Sequence, residues 1–132
     1  MILPKGAVVA VVDGERLVMF RNTGDGEPQL SAIPTPAVDD AGSGSGGHRS
    51  SAANPDNDTQ AEDGFAHGVA DVLNRWALSG KLDELVVVAA PKTLGELRKN
   101  WHKELQAKLI GEIDKDLTGQ SGDQIAAAIA RA

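Results

Sequence analysis

Apolar residues fall along the chain in two rhythms, and the changes between them mark its elements. Ala7–Asp13 (AVVAVVD) is apolar at consecutive positions and rich in β-branched side chains, the pattern of a strand covered on both faces. Asp13-Gly14 supplies the backbone angles of a tight hairpin, and Arg16–Asn22 reads as the second strand. The turn Asn22-Thr23-Gly24-Asp25-Gly26 leads to a shorter third strand over Gln29–Pro34, closed by Pro34 and Pro36. The period then lengthens. Phe65, Val69, Val72, Leu73, Trp76 and Ala77 recur at helical spacing, predicting a helix over Phe65–Ser79 with Asp63 as N-cap and Gly80 as left-handed C-cap. Glu84–Ala90 returns to an unbroken apolar strand. Thr93 and Glu96 have capping-box spacing for a second helix, whose inner face holds Leu94, Leu97, Trp101 and Leu105. Lys108–Ile113 predicts the fifth strand. Ser121 and Gln124 repeat the capping-box pattern before a last helix buried through Ile125, Ala126, Ile129 and Ala130.

The resulting order, β-β-β-α-β-α-β-α, is that of an α/β domain. A meander followed by right-handed crossovers predicts one mixed five-stranded sheet of spatial order 3-2-1-4-5, with helices on its faces. The two most apolar strands then lie at the centre.

The chain between Thr35 and Glu62 is different material: Gly, Ser, Ala, Asp, Asn and Pro, with almost no bulky apolar residue. Such a stretch cannot offset the entropy of ordering itself, and Asp39–Ala61 is expected to be a mobile loop inside a single domain covering residues 1–132. Charge sharpens this division. Six acids and Arg49 alone give Thr35–Asp63 a net −5, while the remainder holds 13 acids against 12 bases. An acidic chain of net −6 thus has a nearly neutral body, and overall charge does not exclude nucleic-acid binding. Aromatics make up only 3% of the residues, so the core must be built from Val, Leu, Ile and Ala. Without cysteine, disulfides, zinc–thiolate sites and thiol catalysis are excluded. The N-terminal apolar run is interrupted by Pro4 and Lys5, too short for a membrane span and unlike a signal peptide. A cytoplasmic location with no membrane partner is expected.

Candidate chemistry is sparse. Asp13 ends a central strand, but metal-assisted phosphoester chemistry needs several converging carboxylates. The fourth strand ends in Ala89-Ala90, and Asp71 is the one candidate second ligand, so a hairpin-turn role is the commoner explanation. His67 and His102 lie on different helices with no third ligand, and no metal or cofactor is expected. Lys92, Arg98, Lys99, His102, Lys103 and Lys108 cluster on the second helix and its entry, where they could meet RNA phosphates. Glu96–Lys99 and Glu104–Lys108 have ion-pair spacing, which argues equally for a solvated face, and Arg98 is expected to pair with a carboxylate. Lys115-Asp116-Leu117-Thr118 either presents a functional turn or satisfies backbone N–H groups before the last helix.

Several of these segments together resemble a known family. Leu85–Ala90 with Pro91, Leu94-Gly95-Glu96-Leu97-Arg98, Lys115-Asp116-Leu117-Thr118, the opening Ala10–Phe20 hairpin and Phe65-Ala66 are similar to the bacterial host attachment proteins. That family in turn resembles the middle domain of eukaryotic and archaeal peptide release factors and of Pelota, a ribonuclease-H-like three-layer topology. In release factors a Gly-Gly-Gln tip between the third strand and first helix reaches the peptidyl-transferase centre. Here that place holds Gly46-Gly47-His48, so the catalytic Gln is not carried over. The resemblance implies a non-enzymatic binding module associated with the ribosome or RNA, and puts forward Arg98, Lys115 and Asp116, with Gly46, Gly47, His48, Lys99 and Lys103 beside them. Two alternatives stay open. One is a peptidyl-ester or phosphoester hydrolase using the Gly46-Gly47-His48 loop or Asp13. The other is an adaptor that binds a second protein.

Overall fold

The two valine-dense segments lie side by side in the middle of one sheet. The computed structural model describes residues 1–38 and 57–132. Within them the chain runs β1 (Val8–Val12), β2 (Leu17–Asn22), β3 (Leu30–Ile33), α1 (Asn57–Ser79), β4 (Leu85–Ala89), α2 (Pro91–Arg98), α3 (Lys103–Lys108), β5 (Leu109–Ile113) and α4 (Gly122–Arg131). The sheet order is β3-β2-β1-β4-β5. β1 pairs parallel with β4, Val8 opposite Leu85 and Val12 opposite Ala89, and antiparallel with β2. Every residue of β1 and β4 is buried, because both faces of these strands are covered. The expected mixed sheet and strand order are therefore the observed ones.

Alternation along the strands divides the core in two. Val8, Ala10, Val12, Leu85 and Val87 face α1, α2 and α3, packing on Val69, Leu73, Leu94, Leu97 and Leu105. Val9, Val11, Val86, Val88 and Ile113 face the other way, onto Ile125 and Ile129 of α4. α4 is held at its start by the expected capping box. The Ser121 hydroxyl accepts from the Gln124 N–H at 3.2 Å, and Gln124 Oε1 accepts from the Ser121 N–H at 2.9 Å. α1 ends as its sequence predicts: Gly80 has φ +79°, and the N–H of Lys81 reaches back to the Trp76 carbonyl at 2.9 Å, a Schellman closure.

Three local expectations are corrected. α1 begins at Asn57, not at Phe65, so Asp63 lies within the helix rather than capping it; the mobile loop expected over Asp39–Ala61 falls mostly outside the described residues. The first turns, NDTQAEDG, carry no apolar stripe for a periodicity argument to find. The expected second helix is two helices. Thr93 is not its N-cap; Ala90 takes that position without a side-chain cap, and Pro91 opens the helix with its fixed φ. The break after Arg98 is stabilised from α1. Buried Asn74 donates from Nδ2 to the Asn100 carbonyl at 2.9 Å and accepts the His102 N–H on Oδ1 at 2.8 Å. It thereby satisfies two backbone groups that a continuous helix would have paired itself. Lys108 does not pair with Glu104. Its ammonium donates to the Ala77 and Leu82 carbonyls at 2.8 and 3.2 Å, neutralising the carboxyl end of α1.

Candidate functional site

The parallel strands β1, β4 and β5 end together at one edge of the sheet, and three connections meet there. The first is the β1–β2 hairpin. Asp13 accepts the backbone N–H groups of Glu15 and Arg16 at 2.7 and 2.6 Å and the Arg16 guanidinium at 3.3 Å. The second is the β5–α4 loop, where Asp116 Oδ1 accepts the Thr118 hydroxyl at 2.6 Å and the Thr118 N–H at 3.2 Å. The Thr118 hydroxyl also lies against the Asp13 carboxylate and so joins the two loops. The third is the entry to α1. Gly14 lies against the exposed Glu62 side chain, whose Cγ a Cβ added at Gly14 would approach to 2.8 Å and push aside. The part of α1 around Glu62 therefore lies at this edge.

Electrostatics at Asp13 oppose one another. Burial pushes its carboxyl up, but the two N–H donors, the Thr118 hydroxyl and the Arg16 guanidinium together hold it below the usual carboxylate value. A carboxylate held ionised, with its lone pairs already engaged, is a weak proton acceptor and a strong turn-former. Among the described residues no three His, Asp or Glu side chains gather into a metal-ligand set. The hairpin reading of Asp13 fits this geometry.

The basic residues put forward from the sequence do not form one cluster. Arg98, at the end of α2, donates from Nε and Nη2 to Glu112 Oε1 of β5 at 3.0 and 2.9 Å, and this pairing raises its pKa. Lys99 donates to Glu96 Oε1 at 2.8 Å; the bond holds the Glu96 carboxyl below its usual value and the Lys99 ammonium above its own. His67 of α1 stands 3.9 Å from the other Glu96 oxygen. Lys103 is exposed at the start of α3, and Lys115 is exposed beside Asp116. Gly46, Gly47 and His48 lie outside the described residues. Sequence reasoning foresaw a carboxylate for Arg98 and the local role of Asp116. It missed the Thr118 bridge to Asp13, for which no sequence signal exists, since only the fold brings residues 13 and 118 together.

Comparison with known families adds to this geometry. The sequence profile of bacterial archaeo-eukaryotic release factor family 12 matches residues 6–129. The chain belongs to that family. A search of curated proteins finds no match. The match carries the release-factor half of the resemblance drawn from the sequence; the host-attachment half is not part of it. In this family 12 chain β3 ends at the carboxyl edge of the sheet, where the Glu62 side chain of α1 also meets Gly14. No helix among the described residues is long and apolar enough to cross a membrane.

Proposed function

We propose that this family 12 chain is a non-enzymatic binding module acting in the cytoplasm at the translation machinery, on the ribosome or its RNA. The observation that carries the reading is the family match over residues 6–129. The order of elements supports it, because it is the order of the release-factor middle domain that the sequence resembles. Contact would run through Gly46-Gly47-His48, with Lys115 and Asp116 on the β5–α4 loop and Arg98, Lys99 and Lys103 on the α2–α3 face. Binding rather than hydrolysis is favoured on chemical grounds. His48 stands where the tip's Gln would be, and Asp13 is tied to its own hairpin by four donor contacts. Attachment to host cells is not part of this reading.

The test is sedimentation of the purified chain with ribosomes through a sucrose cushion, with and without prior nuclease treatment. Co-pelleting that nuclease abolishes is the expected result. A chain that stays in the supernatant, and instead captures a nuclease-resistant protein partner, would establish the adaptor reading in its place.

A further inference from the structure

Half of the six cations assigned to RNA from the sequence are engaged: Arg98 with Glu112, Lys99 with Glu96, and Lys108 with backbone carbonyls. A different pairing of cation and aromatic ring stands on the far half of α1. Trp76 is half-buried, unlike its helix neighbours Val69 and Leu73, which are fully enclosed. Its exposed part borders a groove of about 450 Å³ whose walls are Pro36 and Ala37 on one side and Arg75, Ser79 and Lys81 on the other. This falls in the roughly 300–1,000 Å³ range of small-ligand clefts. The Lys81 ammonium hangs 5.7 Å from the Trp76 ring centroid. Arg75 pairs with Asp71 at 3.3 Å, but both side chains are about 60% exposed, and such pairs exchange readily for other anions.

We infer that this groove binds single-stranded RNA, with one base stacked on Trp76 and flanking phosphates on Lys81 and Arg75. The inference rests on the proposed association with RNA and the translation machinery, and it names a surface away from the carboxyl edge. An aromatic ring beside two exposed cations matches the two demands of a single strand, stacking and charge neutralisation. An acidic peptide would use the cations and leave the ring without a matching partner. Lys81 moves from the ring to a phosphate as the base takes its place. Ser79 adds discrimination. Its hydroxyl donates to the Trp76 carbonyl at 3.3 Å, leaving its oxygen to accept a ribose 2′-OH.

The full chain carrying Trp101→Phe makes Trp76 the sole tryptophan. That substitution gives up no hydrogen bond, because the buried Trp101 Nε1 has no partner. Titration with a short oligouridylate should quench Trp76 fluorescence. The logarithm of the binding constant should fall with the logarithm of salt at a slope of about −1.4, the value for two phosphate contacts on a single strand. Oligodeoxythymidylate should bind more weakly. By anisotropy of labelled RNA, Trp76→Phe should keep binding and Trp76→Leu should lose about fivefold or more, the lower end for one stacked base. The Arg75→Glu, Lys81→Glu double variant, which leaves the core untouched, should not bind. Unchanged fluorescence, undiminished affinity in the double variant, or equal binding of polyglutamate would each overturn the inference. Ribosome pelleting with an unresponsive Trp76 would remove the groove while leaving the proposed function. A Trp76 response without pelleting would do the reverse.

Discussion

Asp13 gathers more donors than any other carboxylate among the described residues, and its consequences are measurable. Its folded-state pKa lies below the ordinary 3.8. A group shifted in this direction adds stability that is fully present above the unfolded value and is lost as pH falls through the folded one. Asp13→Asn cannot titrate. It should lower the urea midpoint at pH 7, since charge-assisted bonds to Glu15 and Arg16 are weakened, and it should flatten the further loss of stability below about pH 4. An acid limb as steep as the parent's would assign that loss to other carboxylates. The hairpin half of this arrangement was legible, because Asp13-Gly14 bonds to residues two and three positions on. The Thr118 half was not. Arg98 repeats the lesson: its demand for a carboxylate follows from its charge, while the choice of Glu112 follows from β5 lying beside α2.

Elements were legible wherever both halves of a signal sit close together in sequence. Ser121 and Gln124 stand three residues apart, and the capping box of α4 is present as read. Ser121→Ala should cost about 1 kcal/mol in chemical denaturation. The split between α2 and α3 was hidden because its cause lies on α1. Nothing in the segment from Pro91 to Lys108 announces that Asn74 will hold the Asn100 carbonyl and the His102 N–H. Asn74→Ala strands both groups at a partly buried junction and should cost about 1–2 kcal/mol. Hydrogen exchange should accelerate at the His102 amide, with the α4 amides unaffected. Equal acceleration in both elements would mean that Asn74 supports the whole fold rather than the junction. The early start of α1 was hidden for another reason: its first turns, NDTQAEDG, hold no bulky apolar residue, and amphipathic periodicity is silent without one.

At the scale of the molecule, the sheet order was legible because continuous apolar character singles out β1 and β4 as central, and handed crossovers then leave few arrangements. The release-factor kinship was legible only through family resemblance, since neither charge nor motif spacing names a ligand. The stretch 39–56 carries no Val, Ile, Leu, Met, Phe or Trp, so the two core layers owe their apolar surface to the rest of the chain. Scaffold and contact can therefore be separated by one experiment. Replacing residues 39–56 with a short Gly-Ser linker should leave a single cooperative thermal transition. Its midpoint should move upward by a few degrees at most, because shortening a loop recovers only about 1 kcal/mol of closure entropy. The same variant should fail to pellet with ribosomes if the tip position makes the contact. Two separate transitions would contradict a single folding unit. Full pelleting by a stable loop-replaced chain would instead move the contact onto the helical faces, where Trp76, Arg75 and Lys81 become the residues to change next.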